Sequence, residues 1–183
     1  MTGTPGTGKK TIAPMTAKAL GLRLVSIDEL ARDHGLLDGS HGDDEVDVHK
    51  LKRKLEVGLN GPALVYGHLL PQAFRPDSMT KVVVLRCEPT ILKKRLEARG
   101  YGRNKVIANV EAELIGLVSS EAFAVFGDMR TLEVDTSKTS PGEAARLVAT
   151  AIREGSSQEK RIDWTLSYGS APKLRSLLSI GTE

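Results

Sequence analysis

The stretch Gly3-Thr4-Pro5-Gly6-Thr7-Gly8-Lys9-Lys10-Thr11 constrains this chain more than any other. Gly3 and Gly8, with Lys9 directly after the second, make the frame of a phosphate-binding loop. Such a loop wraps backbone N–H groups around an anion and leads into a helix whose N-terminal end carries partial positive charge. Gly6 and Gly8 leave room for close backbone approach and permit positive φ. Lys9 brings a point charge to the β- and γ-phosphates of a nucleoside triphosphate, and Gly3, Thr7, Lys10 and Thr11 complete the candidate set. Two departures matter. The residue after the lysine is ordinarily Ser or Thr, whose hydroxyl ligates magnesium; here it is Lys10, and Thr11 comes one place late, about 100° further round a helix. The loop also ordinarily follows a buried strand, yet only Met1 and Thr2 precede Gly3. The first, central strand is therefore expected to be missing.

The remaining pattern alternates helix and strand. A helix is predicted from Lys9 to Leu20, with Pro14 inside its first turns and Gly21 as its stop. A short strand spans Arg23 to Ile27, and a helix opens at Asp28. The polar stretch from Gly35 to Glu45 reads as a mobile loop. A helix from about Val46 to Leu59 precedes two apolar strands, Ala63 to Gly67 and Lys81 to Arg86. Pro89 opens the next helix, and Asn104 is expected to cap a long one reaching about Phe126. Thr131 to Asp135 is the last strand, and Ser140-Pro141-Gly142-Glu143 begins the last full helix with a capping box. The whole is an α/β three-layer domain, a parallel sheet flanked by helices, with ligands at the carboxyl ends of the strands. The domain is expected over 1–153, with a tail, 154–183, docked on it through the single tryptophan, Trp164.

The 183 residues suit one such domain. The lone cysteine, Cys87, excludes an internal disulfide framework and is expected to be buried and inert. No apolar run reaches membrane-spanning length and no secretory h-region follows Met1, so a cytoplasmic enzyme is expected. The net charge of +3 hides basic stretches at Lys50–Lys54 and Arg86–Lys105, but no aromatic interleaving supports sequence-specific nucleic-acid binding. Arg95 and Arg99, four apart on one helix face, are placed either to grip one anion or to pair with Glu97 or Glu88.

Four stretches, Thr2 to Lys9, Asp28-Glu29-Leu30-Ala31, Arg95 to Tyr101 and Asn109-Val110-Glu111-Ala112-Glu113, resemble the adenylate kinase isoenzyme 6 family. These are small phosphate-loop nucleoside monophosphate kinases also implicated in maturation of the small ribosomal subunit. The likeness covers nearly the whole chain and includes Val134-Asp135-Thr136 and Ile162-Asp163-Trp164. It implies reversible transfer of the ATP γ-phosphoryl to AMP, giving two ADP. It implies an AMP-binding insert at about 28–47 and a lid at about 98–109, hinged at Arg99. Lys9, Arg95, Arg99 and His68 become the catalytic candidates, Asp135 a contact near the adenine or only a turn former, and Asn109 and Glu113 braces for the lid arginines. The family's strand carboxylate two residues before the histidine is Tyr66 here. Magnesium is therefore expected to be held mainly by nucleotide oxygens and water, with no protein ligand. The resemblance also implies a small-subunit ribosomal protein as partner. Two other readings stay open: a slow ATPase that acts as an assembly factor, and a degenerate nucleotide binder.

Overall fold

The computed structural model describes residues 1–33, 35–38, 45–46, 50–53, 61–156 and 161–178. Helix α1 (Lys9–Leu20) leaves the loop. Pro14 lies beyond its first turn, so the helix gives up the N–H bond to the Lys10 carbonyl, a larger cost than a first-turn proline carries. Strand β1 (Arg23–Ser26) leads into α2 (Ile27–Asp33), which takes Ile27 from the expected strand. The two-residue strands β2 (Leu37–Asp38) and β3 (Glu45–Val46) pair antiparallel. The helix expected from about Val46 therefore starts later, with residues 50–53 helical and 54–60 outside the described residues. Most of the expected mobile loop, 39–44, also lies outside them.

β4 (Ala63–Tyr66) runs parallel to β1, Arg23 opposite Ala63 and Ser26 opposite Tyr66. After α3 (Leu70–Ala73), β5 (Val82–Arg86) runs parallel to β6 (Thr131–Asp135). Met1 and Thr2 join these two pairs. The Thr2 N–H donates to Val83 O and its carbonyl accepts from Leu85 N, both at 2.8 Å. On the other side the Met1 ammonium donates to Val65 O at 2.7 Å and the Gly67 N–H to Met1 O at 3.2 Å. The central strand expected to be missing is thus present as a two-residue bridge. Behind it, toward the amino ends of β4 and β5, lies a cavity of about 760 Å³ lined by Met1, Leu64, Val65, Phe74, Val83 and Val148 among others.

Alternation along β5 explains its unbroken apolar run. Val82 and Val84 pack on one face with Ile27, Leu70 and Phe126, while Val83 and Leu85 pack on the other with Ile12, Ala144 and Val148. Helix α4 (Pro89–Glu97) starts at the expected proline, with the Glu88 carboxylate accepting the Ile91 N–H at 3.0 Å. The long helix expected to Phe126 is instead two, α5 (Arg103–Leu114) and α6 (Leu117–Phe126). Gly116 makes the break, with a φ of 67° that a residue carrying a Cβ rarely adopts. Gly102, not Asn104, occupies the N-cap of α5. Helix α7 (Pro141–Glu154) carries the expected capping box, Ser140 with Glu143. The tail holds α8 (Thr165–Tyr168) and α9 (Ala171–Leu178). Leu177 is buried in the cluster formed by Cys87, Leu92, Leu96, Val106, Val110 and Leu114. Among the described residues no helix is long and apolar enough to cross a membrane.

Candidate active site

The loop turns at the carboxyl end of the central bridge. Gly3 is enforced by space, because a Cβ there would stand 2.3 Å from the Leu85 carbonyl oxygen. Gly8 caps α1 at a φ of 105°, which starts the helix with its free N–H groups facing the loop. Thr7 is buried, and its hydroxyl donates to Thr4 O at 2.9 Å. Lys9 Nζ donates to the carbonyls of Gly3 at 2.5 Å and Thr4 at 3.0 Å. Desolvation pulls the Lys9 pKa down to about 8, opposed by the charges of Asp28 and Glu113.

A cleft of about 960 Å³ opens in front of the loop. Gly6, Gly8, Lys9, Lys10 and Thr11 line one side, Asp28 and Arg32 of α2 another, Tyr66 and His68 the end of β4, and Arg99, Tyr101, Lys105 and Asn109 the remaining wall. Gly3 and Thr7 lie in the floor of the loop. Arg95 and Asp135 are elsewhere. The Arg95 guanidinium donates to the Thr136 carbonyl at 2.7 Å, and the Thr136 hydroxyl lies 2.9 Å from Thr7 O, so Arg95 stands on the outer side of the loop. The Asp135 carboxylate accepts from the Ser137 N–H at 2.8 Å and from the Ser137 hydroxyl.

Asn109 and Glu113 do not brace the lid arginines. The Asn109 amide donates to its own helix, at Lys105 O, 2.7 Å away. Glu113 faces inward and meets Arg86 at 2.8 Å, because the end of β5 delivers that guanidinium against the inner side of α5. Arg86 also pairs with Glu133 in the same buried network.

Asp28, which opens a helix in the sequence pattern, is not among the expected site residues. In the fold its Oδ1 is 3.7 Å from His68 Nδ1. Desolvation and the nearby Lys9 charge lower the His68 pKa against the pull of Asp28. No local signal announces this pair, since the two residues lie forty positions apart. Among the described residues no three His, Cys, Asp or Glu side chains converge into a metal cluster.

Comparison with known proteins supports this frame. Residues 1–116 match the family model described as an AAA domain. A protein of Thermococcus onnurineus called "Putative adenylate kinase" is 36% identical over 170 residues, covering 92% of this chain and 91% of its own. One of the same name from Methanothermobacter thermautotrophicus is 39% identical over 159 residues, covering 85% and 89%. Among solved structures, a sugar kinase from a Janibacter species superposes with a TM-score of 0.54 over 83% of this chain and 91% of that one. At 16% identity that likeness shows the fold alone.

Proposed function

The chain belongs to the family of proteins called "Putative adenylate kinase", and from that premise we propose that it transfers the γ-phosphoryl of ATP to AMP, giving two ADP. One observation carries the reading: the phosphate loop, α2 and Arg99 all face a single cleft, so a donor and an acceptor nucleotide can share it. The amides of Gly6 and Gly8, the start of α1 and Lys9 hold the donor phosphates. Arg99 and Lys105 approach from the opposite wall, where they offset the charge spread over the transferring oxygens. Arg32 is the cation on the acceptor side, in an insert otherwise rich in acids. Attack needs little covalent help from the protein, so positioning and positive charge supply most of the acceleration.

Among the described residues the cleft offers magnesium one carboxylate, Asp28, and one aliphatic hydroxyl, Thr11. That suits an ion that keeps most of its water and takes its other oxygens from phosphate. Asp28 would hold it, and the ion would supply charge neutralisation of the phosphates. The Asp28 carboxylate answers in part the loss of a strand carboxylate at Tyr66, and it counts against a degenerate binder. Lys10 is exposed beside the cleft and lies on the helix end facing the phosphates. A dinucleotide bisubstrate analogue, two adenosines joined through a phosphate chain, tests the two-site reading. It should compete with both ATP and AMP; competition with ATP alone removes the acceptor site.

ATP hydrolysis is a second reading, favoured by the His68–Asp28 pair, which is placed to hold a water at the end of β4. The link to ribosomal small-subunit maturation rests on the family resemblance.

A further inference from the structure

Glu113 is the meeting point of the phosphate loop and the carboxy-terminal segment. Its Oε2 accepts the Thr4 hydroxyl at 2.6 Å. Its Oε1 accepts from Arg86 Nε at 2.8 Å, from the Cys87 N–H at 2.9 Å and from the Trp164 indole N–H at 3.3 Å. Arg86 donates further to Glu133 and to the Ile162 carbonyl at 3.1 Å, and the Ile162 N–H returns to Glu133 Oε2 at 2.5 Å. Arg86 and Glu113 are 2% and 1% exposed. At that depth no water replaces a lost partner, so displacement at one end of the network is resisted at the other.

Thr4 is the point where the loop feels its ligand. Its carbonyl accepts from Lys9 Nζ and from the Thr7 hydroxyl, while its own hydroxyl is held by Glu113. A phosphate that draws Lys9 toward itself takes one donor from the Thr4 carbonyl and changes the balance at the hydroxyl. The Trp164 indole sits on the other oxygen of the same carboxylate, two hydrogen bonds from the Thr4 hydroxyl.

We propose that Glu113 is a positioning residue that couples the docked tail, through Trp164 and Ile162, to the shape of the phosphate loop, so that nucleotide binding and tail docking strengthen one another. Docking completes the donors around Glu113, Glu113 fixes Thr4, and a fixed loop binds phosphate without further ordering. The coupling is reciprocal by linkage. It rests on the reading that this loop binds nucleotide phosphates.

The test uses the full chain, with ADP as probe and calorimetry as the independent measure of binding. Because Trp164 is the single tryptophan, its emission reports the network directly. Removing Glu113 itself strands the buried Arg86 charge and threatens folding, so the substitutions fall at the two ends, Thr4→Val and Trp164→Phe. ADP should shift the Trp164 emission and slow amide exchange at Ile162. Trp164→Phe should raise the ADP Kd by about fivefold. Thr4→Val should abolish the emission shift, and Trp164→Phe should then cost nothing more in that background. ADP binding of equal affinity in wild type and Trp164→Phe, with unchanged emission, overturns the coupling and leaves the nucleotide site standing. Simple additivity of the two substitutions overturns it as well. Absence of ADP binding to the wild-type chain by calorimetry overturns both.

Discussion

Lys9 has to exchange partners. It donates to two loop carbonyls, and in the proposed reaction these give way to phosphate oxygens. Its pKa of about 8 keeps it charged at pH 7 but lets it lose that charge within an accessible range. Because kcat/KM reports the free enzyme's groups, it should fall above about pH 8. Lys9→Arg, which stays charged, should shift that limb upward. Lys9→Met should cost about 100-fold or more in kcat/KM, the scale seen when one charge-stabilising donor is removed. Asp28 makes a different prediction. Asp28→Asn should raise the magnesium concentration giving half-maximal rate while leaving magnesium-free ADP affinity within about twofold, a change of less than about 0.5 kcal/mol. An unchanged magnesium dependence would remove Asp28 from the metal.

At the scale of elements, the two-residue bridge between β4 and β5 leaves a slot. Continuing its hydrogen-bond pattern backward places the next residue opposite Val82 and the one before it opposite Leu64, beside the cavity lined by Val65 and Phe74. Adding Ile-Val-Ile ahead of Met1 should therefore raise Tm by roughly 5 °C or more, from burial of about 2 kcal/mol per apolar side chain less the ordering cost. A Gly-Ser-Gly extension should give no gain. The elements were legible where local chemistry is decisive: apolar strands covered on both faces, a proline at a helix start, the Ser140–Glu143 capping box. Gly116 was passed over because apolar spacing runs across it; the break appears only once Arg86 is packed beneath that turn, 3.4 Å from where a Cβ would stand. The loop side of the site could be named from nine consecutive residues. The pairings of Asp28 with His68 and of Arg86 with Glu113 could not, since the fold, not the neighbourhood in sequence, brings them together.

At the scale of the whole molecule, a polypeptide that starts at Met1 carries a pH dependence of stability from that buried amine. Desolvation, with Lys9 adding to it, lowers the Met1 ammonium from 8.0 to about 5. Between those values the unfolded chain binds the extra proton, so this contribution is full above about pH 8 and is lost as pH falls toward 5. Denaturant midpoints should fall across that window, and the N-acetylated chain should fall less by the share this amine supplies. Two-nucleotide chemistry in one cleft is checked by following ADP formation from ATP with and without AMP. AMP should multiply the rate of ADP formation, and two ADP should appear for each ATP consumed. ATP loss at a rate indifferent to AMP, with one ADP and one phosphate released for each ATP, would contradict it.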